Sequence, residues 1–221
     1  MKKTWFLFVL INICFLLGGA PLPALSSLEL DGGLLFLASI DPQGAPSPLL
    51  PTVGLAFPLL QRGGFALESA FLLFGTYYKY EDGRASPVEQ EHREYAVPAI
   101  LADVRAGYGF RLGGALALGG DVGLALLLRF PIPLSSSASE EVGSAFGYLF
   151  GAGRFFYPET GLSALFRLPQ GIGIRIALRA FWPVFLLWGA EDLPFPEGLL
   201  VTGLVGLVFE LPGRVESHTG S

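Results

Sequence analysis

The stretch from Leu112 to Pro133, LGGALALGGDVGLALLLRFPIP, is oily enough for a membrane helix yet is built wrongly for one. Gly113, Gly114, Gly119, Gly120 and Gly123 would each cost roughly 0.8–1 kcal/mol against Ala in a helix interior. Asp121 would sit near the centre of the span, at about 2.5–3.5 kcal/mol even on a lenient insertion scale. Sorting the residues by parity, as a strand does, removes the conflict. Leu116, Leu118, Val122, Leu124, Leu126, Leu128 and Phe130 share one greasy face. Ala115, Ala117, Gly119, Asp121, Gly123, Ala125 and Arg129 share the other, which is small and carries both charges.

The same two-faced pattern recurs along the chain. Glu68 lies opposite Phe65, Leu67, Phe71 and Leu73. Asp103 and Arg105 lie opposite Ile100, Val104 and Tyr108. Glu159 and Arg167 lie opposite Phe156, Leu162 and Phe166. Arg175 and Arg179 lie opposite Ile172, Ile174, Ile176 and Leu178. Thr202, Gly206 and Glu210 face away from Val201, Val205, Leu207 and Phe209. Weaker versions surround Val53 and Leu30, the latter with Glu29 and Asp31 on the polar side. This predicts eight strands, each near the ~9–11 residues a tilted membrane strand needs. The other face is mostly Gly and Ala with a few charges, as suits a narrow barrel interior better than a solvated surface.

Composition agrees. The chain of 221 residues is 52% hydrophobic and 15% charged, with 30 Gly and 17 Pro. Its first residues, MKKTWFLFVLINICFLLGGAPLPALSS, combine Lys2 and Lys3 with an apolar run and then small residues, the order of a secretory signal peptide. The expected division is a signal peptide over 1–24, a barrel over 25–211 and a tail over 212–221; an uncleaved anchor is the alternative for the first part. Prolines or charges interrupt every later apolar run before it can span as a helix. An exported apolar chain without spanning helices crosses a bilayer as a closed barrel. A soluble β-sandwich is the competing fold.

Short Gly-bearing connections at 59–64, 110–114 and 166–171 alternate with longer segments at Asp41–Pro48, Glu81–Glu91, Pro131–Ser144 and Leu186–Glu197. Short turns at one rim and long loops at the other are the outer-membrane arrangement. Aromatic residues near strand ends, among them Tyr77, Tyr78, Tyr108, Phe110, Tyr157, Trp182 and Trp188, are expected to form interfacial girdles. Residues 145–154, AFGYLFGAGR, also alternate, which leaves a ten-stranded barrel open.

These residues resemble the small eight-stranded outer-membrane barrels of the OmpA, OmpX and OmpW type. The glycine-rich style is also similar to spirochaete outer-membrane proteins. The resemblance implies an assembly signal in the last strand, matched at Gly206, Phe209 and Leu211; Leu204 stands where the signal has a polar residue. It further implies outer-membrane lipid and the barrel assembly machinery as partners.

Chemistry-bearing residues are few. The inward charges Glu68, Asp103, Arg105, Asp121, Arg129, Glu159, Arg167, Arg175 and Arg179 are expected to pair across the lumen, since a lone buried charge is very costly. Such pairs would plug the barrel of a structural or surface-interaction protein, with an extracellular ligand at its loops as a further expectation. Leu72, Phe74, Ala125, Leu127, Ala177 and Phe181 make part of the inward face greasy, the feature that favours a narrow channel for small hydrophobic solutes. His92, with Ser86 nearby in sequence, is the weakest option, a lipid-modifying enzyme; no catalytic residue is assigned. No cofactor and no metal cluster are expected. A net charge of −5 without a basic face excludes nucleic acid.

Overall fold

The computed structural model describes residues 26–39, 48–188, 194 and 196–211. The expected signal peptide and tail lie outside them. Eight antiparallel strands close into a barrel, β1 (Ser27–Leu37), β2 (Leu49–Arg62), β3 (Phe65–Glu81), β5 (Tyr95–Leu112), β6 (Leu116–Arg129), β8 (Phe156–Leu168), β9 (Ile172–Phe181) and β10 (Leu200–Glu210). Each pairs with the next in that order, and β10 returns to β1 with Ser27 opposite Glu210 and Leu37 opposite Leu200. Closure leaves the ring without an unpaired edge.

The turns set the polarity of the barrel. Gly63, Gly113 and Gly171 adopt φ of 61°, 78° and 75° in the three short connections, a backbone region closed to most L-residues. Both ends of the barrel, Ser27 and Glu210, lie at this short-turn rim. At the opposite, loop rim the wall is uneven: β3 and β5 run 17 and 18 residues, β9 only 10.

Two further strands stand outside the ring. β4 (Arg84–Pro87) folds back on the top of β3, and β7 (Ile132–Pro133) adds to the start of β5. Asp82 and Gly83, at φ 50° and 79°, make the β3–β4 hairpin turn. Asp-Gly is a strong short-range hairpin signal, so this hairpin was readable within a segment expected to be a loop.

Residues 145–154 are not a strand. Ser136–Phe150 form helix α1, followed by a 3-10 turn over Gly151–Gly153. Pro131–Ser144, expected as a loop, contains the first turns of that helix. Ser135 caps it, its Oγ accepting from the Ala138 amide at 3.1 Å. Ala138, Ala145 and Leu149 are buried at helical spacing, and Tyr95 Oη donates to the Ala138 carbonyl at 2.8 Å. Phe146 and Phe150, which look like alternating strand residues, are also four apart; their rings stack at 4.5 Å on one side of the helix.

The alternation of the ring strands follows the parity pattern, with the usual order of a soluble protein inverted. Leu162 is 67% and Val122 62% exposed on the outside, whereas Arg105 and Glu159 are 1% exposed inside. Water would penalise such an outer surface; acyl chains solvate it. Among the described residues no helix is long and apolar enough to cross a membrane. The aromatic expectation holds in part. Tyr108 and Phe110 are exposed near the short-turn rim, but Tyr78 and Tyr157 point inward and are buried.

Candidate functional site: the lumen

The lumen has three storeys, and the strand register stacks them. Nearest the short-turn rim is a cavity of about 580 Å3 whose lining includes Gln61, Glu68, Tyr108, Asp121, Ser163 and Arg167. Across the middle runs a charge network. Above it, towards the loops, the barrel is filled with apolar side chains.

The network is centred on Arg105, which is opposite Glu68 on β3. Arg105 Nη2 donates to Glu68 Oε2 at 3.0 Å and Nη1 to Asp103 Oδ1 at 2.9 Å. Arg175 Nη1 reaches the same Glu68 oxygen at 3.0 Å and lies 2.8 Å from Glu29 Oε2. Arg179 Nη1 stands 3.8 Å from Asp103 Oδ2. Glu68 thus bridges two arginines, and Arg105 bridges two carboxylates. Chains of this kind compensate the desolvation that a single buried ion could not bear.

The inward glycines make room for these side chains. A Cβ on Gly161 would run into the Asp121 carboxylate, and one on Gly206 into those of Asp31 and Glu29. On Gly123 it would fall 2.6 Å from Glu159 Oε1. Gly206, expected as part of the assembly signal, therefore also has a packing role inside the barrel. Phe209 and Leu211, the other two signal residues, stand at the end of β10 and just beyond it, at the short-turn rim.

Two of the expected network residues lie elsewhere. Arg129, at the loop end of β6, donates through Nη2 to the carbonyls of Leu149 and Arg154, both at 2.9 Å. It ties down the end of α1 because that end offers carbonyls with no helical partner. Arg167 is at the short-turn rim, 3.9 Å from the exposed Glu210. Conversely, Glu29 joins the network and Asp31 lies beside it. Their parity had placed them on the polar face, and only the register shows that Asp31 lies opposite Gly206, itself opposite Arg175.

Asp121, Glu159 and Asp103 share the level of Arg179. Glu159 Oε1 and Oε2, Asp103 Oδ2, Asp121 Oδ1, Arg179 Nε and Nη1 and Thr202 Oγ1 are buried without a hydrogen-bond partner among the described residues.

The upper storey is apolar. Leu35, Leu72, Leu101, Phe181 and Leu200 are fully buried there, with Leu127 and Leu204 nearly so. Phe74, Ala125 and Ala177 belong to the same cluster, and Ala138, Ala145 and Leu149 of α1 extend it. The greasy inward positions thus fill the lumen instead of lining a passage. Each such side chain withdrawn from water contributes about 1.5–3 kcal/mol. His92 sits apart from all of this, exposed in a 3-10 turn over Gln90–His92. Among the described residues no acidic, His or Cys group is arranged to hold a metal ion.

An all-antiparallel ring of eight strands, apolar outside and charged within, is the architecture of the small outer-membrane β-barrels. Solved structures of that class share it. Outer membrane protein OprG from Pseudomonas aeruginosa is 11% identical, and the match covers 85% of this chain and 97% of that one at a TM-score of 0.51. Neisserial surface protein A is 10% identical over 84% of this chain and 96% of its own, with a TM-score of 0.47. The outer membrane enzyme PagL is 9% identical over 84% and 99%, with a TM-score of 0.44. At such identity the likeness is one of fold. Neither a protein-family model nor a curated protein matches the chain.

Proposed function

We propose that this chain is a closed outer-membrane barrel with a structural or surface-interaction role, exported by its N-terminal segment, and that it is not an enzyme. The observation that carries this reading is the filled upper lumen. Leu72, Leu101, Phe181 and Leu200 occupy the axis with no exposed surface, and α1 packs on the same cluster. Solute passage would have to displace a packed apolar core. The charge network lies beneath that core and braces the strands around the lumen. What remains available to partners is the lipid-facing wall and the loop rim, where β4, β7 and α1 stand outside the ring. A soluble ligand at the loops, bilayer lipid around the wall and assembly machinery meeting β10 are the partners this reading assigns.

The test is single-channel recording of the refolded chain in a planar bilayer, once an unboiled gel shows the compact, heat-sensitive band of a folded barrel. A folded barrel without openings is expected. Steady openings altered in Arg105→Ala or Arg175→Ala would replace this reading with transport.

A further inference from the structure

Seven polar atoms buried in the middle of the barrel find no hydrogen-bond partner among the described residues, although two of them, Arg179 Nη1 and Asp103 Oδ2, form a long ion pair at 3.8 Å. They belong to Asp103, Asp121, Glu159, Arg179 and Thr202. The register explains why they meet. Asp121 is opposite Gly161, Gly161 opposite Arg179, and Arg179 opposite Thr202, so three of the five lie along one hydrogen-bonded row. Glu159 is two residues from Gly161 on the same inward face, and Asp103 is 3.8 Å from Arg179. Glu159, Arg179 and Thr202 are 1%, 2% and 0% exposed.

The set contains donors as well as acceptors. Arg179 offers N–H groups, the carboxylates offer only lone pairs, and Thr202 offers both. A metal ion would satisfy the carboxylates and be repelled by Arg179. Water can accept from one and donate to the others, and a polar cavity with several partners is where buried water resides. The row also has an entrance. Asp121 lines the cavity at the short-turn rim, as do Ser163 and Arg105. Above the row lies the apolar storey, which offers water nothing.

We propose that the lumen is an aqueous half-channel, open at the short-turn rim and ending in a water-binding chamber formed by Asp121, Glu159, Asp103, Arg179 and Thr202. Its closed end is the apolar storey around Leu101. The chamber leaves the barrel one layer of packed side chains short of a pore. The dead end rests on the closed-lumen reading above; the chamber itself does not.

Single cysteines in a Cys14→Ser background test it, because Cys14 is the only cysteine in the chain. Thr202→Cys reports on the chamber, Ser163→Cys on the cavity and Leu101→Cys on the apolar storey. Each variant is refolded, checked for the heat-sensitive band and exposed to silver ion, which travels in water and caps thiols. Free thiol is then counted after unfolding. Thr202→Cys is expected to be capped within about tenfold of the rate of Ser163→Cys, and Leu101→Cys at least about a hundredfold more slowly. If Thr202→Cys is as slow as Leu101→Cys, the chamber is dry and the proposal falls. If Leu101→Cys is as fast as Thr202→Cys, the dead end falls, and conductance of the unsubstituted barrel then shows whether the closed-lumen reading falls with it. Should Thr202→Cys fail to fold, Glu159→Cys, at another of the five chamber positions, takes its place with the same criteria.

Discussion

At the scale of single residues, the barrel depends on a few side chains that each hold two others. Arg105 is the extreme case, fully enclosed and bonded to both Glu68 and Asp103. Removing it leaves Glu68 with Arg175 alone and Asp103 with only the distant Arg179 in a low-dielectric interior. Arg105→Met is expected to lower unfolding stability by roughly 3–5 kcal/mol, the cost of breaking a buried pair from one side. Arg167→Met removes an arginine that stands at an open rim beside an exposed glutamate. Its cost is expected to stay below about 1 kcal/mol. Urea titration of both variants in the same lipid vesicles checks the contrast; equal losses would mean that the lumen screens charge as well as the rim does. Both arginines lie on the inward parity face in the sequence. Their different roles come from height along the barrel axis, which parity does not encode.

At the scale of elements, the ring strands are legible in the sequence, whereas at the loop rim the Asp82-Gly83 turn is legible and helix α1 is not. A strand between lipid and lumen meets a different medium on each side, so its period of two is written into residue type. Helix α1 has one face on the barrel core and the other free, over a segment that contains Gly143 and Gly147 and alternates in aromatic residues. Its period of 3.6 is therefore weakly written, and Phe146, Tyr148 and Phe150 read as a strand. The cap at Ser135 was the available signal. Ser135→Ala is expected to destabilise α1 by about 0.5–2 kcal/mol without loosening the ring. Amide hydrogen exchange would show faster exchange in the first turns of α1 and unchanged protection in β6 and β8. Loss of protection across the strands would mean that the helix is integral to barrel closure.

At the scale of the whole molecule, the inverted distribution of polarity makes the bilayer part of the fold. Leu162 and Val122 are among the most exposed large apolar residues of the wall. In a soluble sandwich, charge on an exposed position would be harmless. In a membrane wall, Leu162→Arg is expected to cost about 2–4 kcal/mol if the position lies near the bilayer midplane, and less towards either rim. Folding yields into vesicles, compared with those of Leu168→Arg on the same outer face of β8 at the short-turn rim, measure this; indifference at Leu162 would argue for a soluble barrel. Fold at this scale does not fix activity, because activity belongs to a site and one fold carries many. For that reason the functional reading rests on the packed lumen of this chain.

The division between primary and tertiary information follows from what each kind of contact requires. The facing of each ring strand and the membrane-spanning class are local matters. They depend on alternating polarity and on charges or prolines that break every candidate helix, and a linear chain displays both. Which carboxylate meets which arginine depends on register across as many as four strands, and a shift of two residues would preserve every face while changing every partner. So Glu29 and Asp31 could be placed on the inner face but not beside Arg175, and Arg129 could be placed there but not beneath α1. Whether a greasy inward face lines a passage or fills it depends on the barrel's radius against the summed volume of Leu72, Leu101, Leu127 and Phe181. That volume is shared among strands far apart in the chain, and only closure of the ring brings it to one axis.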